Sequence, residues 1–188
     1  MKPPLPDSVE KILFTEEQVN ARVSEVAAEI SRRYAQGVKL IAVLKGSVFF
    51  LTALARELTC PVKIDFLAIS SFGKQAGSPG VVRIEKDLDE GIENEDVLLI
   101  EDIVDTGFTT RYLLQTLAGR GPRSIAICTL LDRSVRRIVQ VPVAYRCFDI
   151  PDRFVVGCGL DHKQLYRNLG CIAVLMNPAD GTRRRDHA

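Results

Sequence analysis

Residues 97–110 read VLLIEDIVDTGFTT, and no other stretch of the chain constrains the fold as tightly. Val97-Leu98-Leu99-Ile100 sets four large apolar residues in succession, the pattern of a strand buried on both faces. Two adjacent carboxylates, Glu101 and Asp102, close that strand. A third acid, Asp105, is followed by Thr106 and Gly107, which predict a tight turn, and Arg111-Tyr112-Leu113-Leu114 continues as a helix. Strand, turn and helix in this order suit an open parallel sheet, where ligands bind beyond the C-terminal strand ends. The amides and hydroxyls of such a turn, with the helix N-terminus behind them, form a cradle for an anion. Glu101 and Asp102 are too costly to bury there unpaired, so a divalent cation or sugar hydroxyls are their expected partners.

The rest of the chain continues this alternation. Thr15-Glu16-Glu17-Gln18 reads as a helix N-cap with acids in the first turn, and Val19, Val23, Val26, Ala27 and Ile30 recur at helical spacing up to Gly37. A strand over 39–44 exits through Lys45-Gly46-Ser47 into a helix over 48–58, and Pro61 opens a strand over roughly 62–70. Residues 72–80 hold three glycines and a proline and predict a flexible loop between two strands. The sheet resumes over 81–84, and 87–96 reads as an acidic surface turn. After the helix over 109–118, strands are expected at 124–131, near 142–148 and 153–157, and at 172–176. Residues 1–8, with three prolines, read as an irregular arm. The prediction is an α/β fold with a mainly parallel central sheet flanked by helices. The broken rhythm of the closing third predicts a small hood lobe over the crevice, built from the N-terminal arm and about 145–170.

At 188 residues, with 46% hydrophobic and 26% charged side chains, one domain spanning 1–188 is expected. A net charge of +1 gives no electrostatic footprint for nucleic acid. Neither a charged-then-apolar leader nor a membrane-length apolar stretch is legible, so the expected location is the cytoplasm. The five cysteines form no CxxC pair and read as inert buried thiols. His162 and His187 have no second ligand at zinc spacing. No Gly-Lys-Thr/Ser follows Gly107, which excludes a Walker A loop.

The 97–110 run resembles the phosphoribosyl-diphosphate signature of the type I phosphoribosyltransferases. Four further segments match the hypoxanthine-guanine branch of that family, and the resemblance runs from about residue 12 to about 178. It implies a type I phosphoribosyltransferase-like fold in which Glu101, Asp102, Thr106, Gly107, Phe108 and Thr109 bind 5-phosphoribosyl 1-diphosphate and Asp105 is the catalytic residue facing the base, assisting proton movement at ring nitrogen seven either as a general base or chiefly as an electrostatic partner. Lys45 and Gly46 match the diphosphate-contacting loop, whose Lys-Gly peptide is often cis in the family. Ser70-Ser71-Phe72-Gly73 matches the start of a lid loop; Ser71 and Phe72 belong to it, with Phe72 where the family usually has tyrosine. Asp132-Arg133 follows a strand, and Arg133 stands where a lysine usually donates to the purine 6-oxygen. A planar guanidinium can donate there too, and the alternative is a pair with Asp132. In Phe148-Asp149-Ile150-Pro151-Asp152-Arg153-Phe154-Val155-Val156-Gly157, Phe154 matches the ring stacked on the purine and Val155 the backbone that reads it. Asp161 matches an acid linked to both metal and purine site, and Arg167 a diphosphate-contacting arginine.

The resemblance further implies Mg2+ held by Glu101, Asp102 and Asp161, and transfer of phosphoribose to hypoxanthine or guanine. Rival readings are a xanthine-preferring or broad 6-oxopurine enzyme, and a regulator that senses nucleotide without turnover. Partners are the purine base and phosphoribosyl diphosphate, with neither nucleic acid nor membrane. Family members are dimers or tetramers, so a homodimer or homotetramer is expected. The helix over 48–58, apolar at Val48, Phe49, Leu51, Leu54, Ala55 and Leu58, offers a face either to a partner subunit or to the N-terminal helix.

Overall fold

The computed structural model describes residues 6, 8–72 and 81–176. The expected lid falls on both sides of that limit. The backbone of Ser71 and Phe72 continues a strand, and residues 73–80 lie outside the described residues.

Nine strands and three α-helices run in the order β1 (Val9–Phe14), α1 (Glu16–Arg33), β2 (Val38–Leu44), α2 (Ser47–Glu57), β3 (Val62–Phe72), β4 (Val81–Lys86), β5 (Asp96–Val104), α3 (Phe108–Ala118), β6 (Ser124–Asp132), β7 (Val143–Asp149), β8 (Val155–Val156) and β9 (Ile172–Leu175) among the described residues. The large sheet has the order β4-β3-β2-β5-β6-β7. Its five strands from β3 to β7 run parallel, and only β4 is antiparallel, against β3. The chain proceeds from β2 outward to β3, then returns to place β5 on the other side of β2. A parallel sheet reverses its winding at such a point, and the crevice there is the ligand-binding position.

The apolar run of β5 serves both faces by strand alternation. Leu98 and Ile100 join Leu40 and Ala42 beneath α1 and α2, whereas Val97 and Leu99 join Ile41, Val43 and Leu67 beneath Leu113 and Leu117 of α3. Helix α1 starts where Thr15 caps it: Gln18 N–H donates to Thr15 Oγ1 at 3.3 Å, and Thr15 N–H donates to Gln18 Oε1 at 2.8 Å. Its buried stripe is Val19, Val23, Val26, Ala27 and Ile30. It packs on α2, whose Phe50, Leu51 and Leu54 are buried in the same cluster, so the N-terminal helix covers much of the apolar α2 face.

A second sheet, β1-β9-β8, is antiparallel throughout and forms the hood. Its membership differs from the expected 145–170. Residues 143–149 pair in parallel with β6 in the large sheet, while β9, beyond 170, is the centre of the small one. Strand β1 had no periodic signal of its own and exists by pairing with β9 across the whole chain.

Candidate active site

Strand β5 runs further than the acids that were expected to end it. Glu101 pairs with Thr129 of β6 inside the ladder, and the strand continues to Val104. Successive residues of a strand face opposite ways. Glu101, 6% exposed, is sunk in the protein, and among the described residues it makes no ion pair. Burial, with a smaller contribution from Asp102, holds its carboxyl well above the ordinary carboxylate range. Burial also raises the Asp102 carboxyl, with Asp161 adding to the shift and Arg167 opposing it.

Asp102 faces the seam between the two sheets. A Cβ on Gly46 would come within 1.6 Å of Asp102 Oδ2, and one on Gly159 within 1.9 Å of the Gly46 carbonyl oxygen. Only backbone fits between them. Gly159, at φ +100°, is a conformation that side chains resist. Arg167 Nη1 donates to the Gly159 carbonyl at 2.6 Å, and Arg167 Nη2 pairs with Asp161 Oδ1 at 2.7 Å. Gly46, Asp102, Asp161 and Arg167 are therefore brought together. Lys45 stands exposed beside them, and the cis peptide of this loop is Leu44–Lys45, one bond earlier than expected.

The anion cradle follows. Gly107 takes φ +90°, and a Cβ there would meet the Val139 carbonyl oxygen at 2.2 Å. The Thr106 carbonyl accepts from Ile138 N–H and Val139 N–H, each at 2.9 Å. Helix α3 starts at Phe108, and no side chain caps its first amides. Those N–H groups have no intrahelical acceptor, which suits an anion. Phe108 and Thr109 lie in this first turn.

Asp105 is surrounded by arginines. Arg133 Nη1 lies 3.5 Å from Asp105 Oδ2, Arg136 Nε lies 3.7 Å from Oδ1, and Arg137 Nε donates to the Asp105 carbonyl at 2.9 Å. Among the described residues, Asp105 Oδ1 and Arg133 Nε are buried without a hydrogen-bond partner. Arg133 does not pair with its neighbour Asp132, which Arg137 and Arg146 neutralise. Its other nitrogen, Nη2, donates to the Arg153 carbonyl at 2.8 Å, directly before Phe154. Phe154 is 54% exposed, and His162 stands edge-on to it with ring centroids 5.5 Å apart. Val155 is buried in β8, opposite Val174. The contacts of Arg136, Arg137 and His162 escaped the sequence reading. An arginine pair leaving the same sheet edge as Asp105 was the available signal for the first two.

The three acids expected to share a metal do not gather: among the described residues, no three His, Cys, Asp or Glu side chains form a cluster able to hold an ion. The hard oxygen donors Asp102 and Asp161, facing one seam, still fit a cation such as Mg2+, which takes one or two carboxylates and completes its shell with water and phosphate oxygens. No disulfide joins the five cysteines, and burial pushes the Cys147 and Cys158 thiols up to about 12. Among the described residues no helix is long and apolar enough to cross a membrane.

Comparison with known proteins gives a consistent assignment. A family model described as phosphoribosyl transferase domain matches residues 11–163. The hypoxanthine-guanine phosphoribosyltransferase of Mycobacterium avium is 46% identical over 177 residues, covering 90% of this chain and 87% of that protein. The hypoxanthine phosphoribosyltransferase of Haemophilus influenzae is 42% identical over 165 residues, covering 86% and 92%. A solved structure of the Trypanosoma cruzi hypoxanthine phosphoribosyl transferase superposes with a TM-score of 0.89 at 38% identity, covering 96% of this chain and 98% of that one.

Proposed function

The chain belongs to the phosphoribosyl transferase domain family, and from that premise we propose that it transfers the 5-phosphoribosyl group of 5-phosphoribosyl 1-diphosphate to hypoxanthine or guanine. The products are the purine nucleotide and diphosphate. The observation that carries this reading is the convergence, at one edge of the parallel sheet, of an uncapped helix start, a carboxylate seam and a carboxylate–guanidinium pair beside an exposed ring.

Each part has a task in the reaction. The α3 amides and the hydroxyls of 106–110 hold the 5-phosphate. Lys45, the Gly46 backbone and Arg167 hold the diphosphate. Asp102, on the seam, holds the ribose diol side and with Asp161 would hold Mg2+, while Glu101, on the opposite face of β5, backs it from within the sheet. Bound Mg2+ supplies charge neutralisation at the diphosphate. Phe154 stacks on the purine and the Val155 backbone reads its edge. Arg133 donates to the 6-oxygen from the guanidinium that it already holds against Asp105 and the Arg153 carbonyl. Asp105 accepts or returns a proton at ring nitrogen seven, and its unpartnered Oδ1 is the open acceptor. Charge develops at the anomeric carbon as diphosphate leaves, so preorganised carboxylates beside it are the main expected contribution.

A homodimer or homotetramer is proposed as the working unit. Phe49 on α2 remains 44% exposed and lines an open cavity with Val48, Thr52, Ala53 and Arg56, which supports a subunit contact there.

The test is turnover of the purified chain with phosphoribosyl diphosphate, magnesium and each of hypoxanthine, guanine, xanthine and adenine. Hypoxanthine or guanine should lead. Arg133→Met should weaken both by about 1–3 kcal/mol in kcat/KM, the cost of an unmet polar group in a closed site. Xanthine in front would favour the broad 6-oxopurine reading, and nucleotide binding without turnover the regulatory one.

A further inference from the structure

Of the arginines around Asp105, the proposed reaction gives no task to Arg136 or Arg137; Arg137 is committed to Asp132 and the Asp105 carbonyl, and Arg136 is not. It sits in the 3-10 turn Ser134–Arg136 that follows β6. Its Nε lies 3.7 Å from Asp105 Oδ1 and also 3.7 Å from Asp152 Oδ1. Asp105 follows the end of β5 in the core, whereas Asp152 lies in the segment that leads into Phe154. A single guanidinium thus spans the two halves of the base slot. At 47% side-chain exposure it is held by these two acids rather than by packing, and neither distance is that of a committed hydrogen bond.

The oxygen it faces is the informative one. Asp105 Oδ1 is buried and has no hydrogen-bond partner among the described residues, while Oδ2 and the carbonyl are taken by Arg133 and Arg137. An acceptor left open beside a cation with a second carboxylate in reach can change partners without stranding a charge. We propose that Arg136 is a positioning residue for base transfer: it is shared between Asp105 and Asp152, balancing Asp105 before the purine arrives and moving onto Asp152 when the base takes Oδ1. This rests on the phosphoribosyl-transfer reading above. It assigns Arg136 no contact with substrate, so its effect must pass through Asp105.

A double-mutant cycle on the full chain tests this. Arg136→Gln should lower kcat/KM for hypoxanthine about tenfold, within the range of coupled neighbouring charges, and leave KM for phosphoribosyl diphosphate within about twofold of wild type. Arg136→Lys should restore most of the loss. In an Asp105→Asn background, Arg136→Gln should change kcat/KM by less than about twofold. Asp152→Asn, which leaves Arg136 to Asp105 alone, should raise KM for hypoxanthine with little change in kcat. Equal fold-losses from Arg136→Gln in both backgrounds overturn the inference and leave the enzymatic reading intact. Should the wild-type chain show no turnover, the enzymatic reading falls, and the same cycle read as IMP affinity by calorimetry decides Arg136: non-additive losses support it. Additive losses, or no IMP binding at all, overturn it.

Discussion

The large sheet and the hood meet at the contact between Gly46 and Gly159, and each brings its reactive groups to that contact by a different means. In the large sheet, Asp102 is carried to it on β5 above Val97, Leu98, Leu99 and Ile100, all fully buried. Strand neighbours on both sides hold β5 through Ile100, and β6 alone continues beside it to Val104. In the hood, a two-residue strand precedes a run of turns, and Cys158, Lys163, Gln164 and Tyr166 all adopt positive φ without being glycine. Charges do the holding there: Arg153 pairs with Glu10, Arg167 with Asp161, and Arg133 reaches from the core to the Arg153 carbonyl. Groups that must stabilise developing charge sit on the stiff element, and groups that must admit and release a base sit on the element with fewer buried contacts.

If that division is right, variants of the two halves should fail in different kinetic constants. Asp105→Asn keeps shape and removes charge. It should lower kcat by about 10²–10⁴-fold, the usual size of an acid–base contribution, with affinity for phosphoribosyl diphosphate nearly unchanged. Phe154→Ala should instead raise KM for the base about tenfold, from lost stacking, with a smaller effect on kcat. Steady-state kinetics on both variants measures the contrast. A Phe154→Ala variant that loses kcat as heavily as Asp105→Asn would break the division.

A smaller effect sharpens the same contrast through stability. Burial raises the Glu101 carboxyl well above 4.5, so the folded chain keeps a proton that the unfolded chain releases. The resulting stabilisation is complete below pH 4.5 and is lost as the pH climbs through the raised value. Glu101→Gln removes that dependence. Its unfolding free energy from urea titration should match wild type near pH 4 and exceed it near pH 8, by about 1.4 kcal/mol for each unit of the shift. Parallel pH profiles for the two proteins would show that the buried acid is no stability cost. The core would then carry no functional strain of this kind.

Much of this arrangement is legible in the amino-acid order, and the illegible part has a physical reason. The strands of the large sheet announce themselves because burial on both faces demands unbroken apolar runs, and Thr15 and Gln18 mark the start of α1 by local hydrogen bonds. The signature run placed Asp102, Asp105 and the cradle because strand, turn and helix are consecutive. Hood contacts are not consecutive. β1 pairs with β9 at the other end of the chain, and the Asp105–Arg133 pair joins the exits of two adjacent strands. Local pattern carries no information about such pairings. The separation of Glu101 from the Asp102 seam follows from strand alternation, once β5 is seen to continue to Val104 rather than end at the acids.

The turn over residues 162–165 was missed for a related reason, and it yields the smallest expected effect. His162 and Leu165 exchange two backbone hydrogen bonds, His162 N–H donating at 3.2 Å and Leu165 N–H at 3.0 Å. Lys163 at φ 52° and Gln164 at φ 68° occupy the two central positions. A two-residue turn of that shape is normally written Asn-Gly, because left-handed backbone costs other residues about 1–2 kcal/mol. Its tolerance here follows from what hangs on it. Gln164 N–H donates to Asp161 Oδ2 at 2.8 Å, and Arg167 Nη2 reaches Gln164 Oε1 at 3.3 Å, so the turn aims both seam residues. Lys163 makes neither contact and is exposed. Lys163→Asn should therefore stabilise the folded chain by about 0.5–1 kcal/mol, read as a raised urea midpoint. Relief of strain in a hood turn, with Asp161 and Arg167 undisturbed, should leave KM for phosphoribosyl diphosphate within about twofold. A stabilised variant with weakened diphosphate binding would mean that the strained backbone itself tunes the seam, and the hood would then be built for stored strain rather than for loose packing.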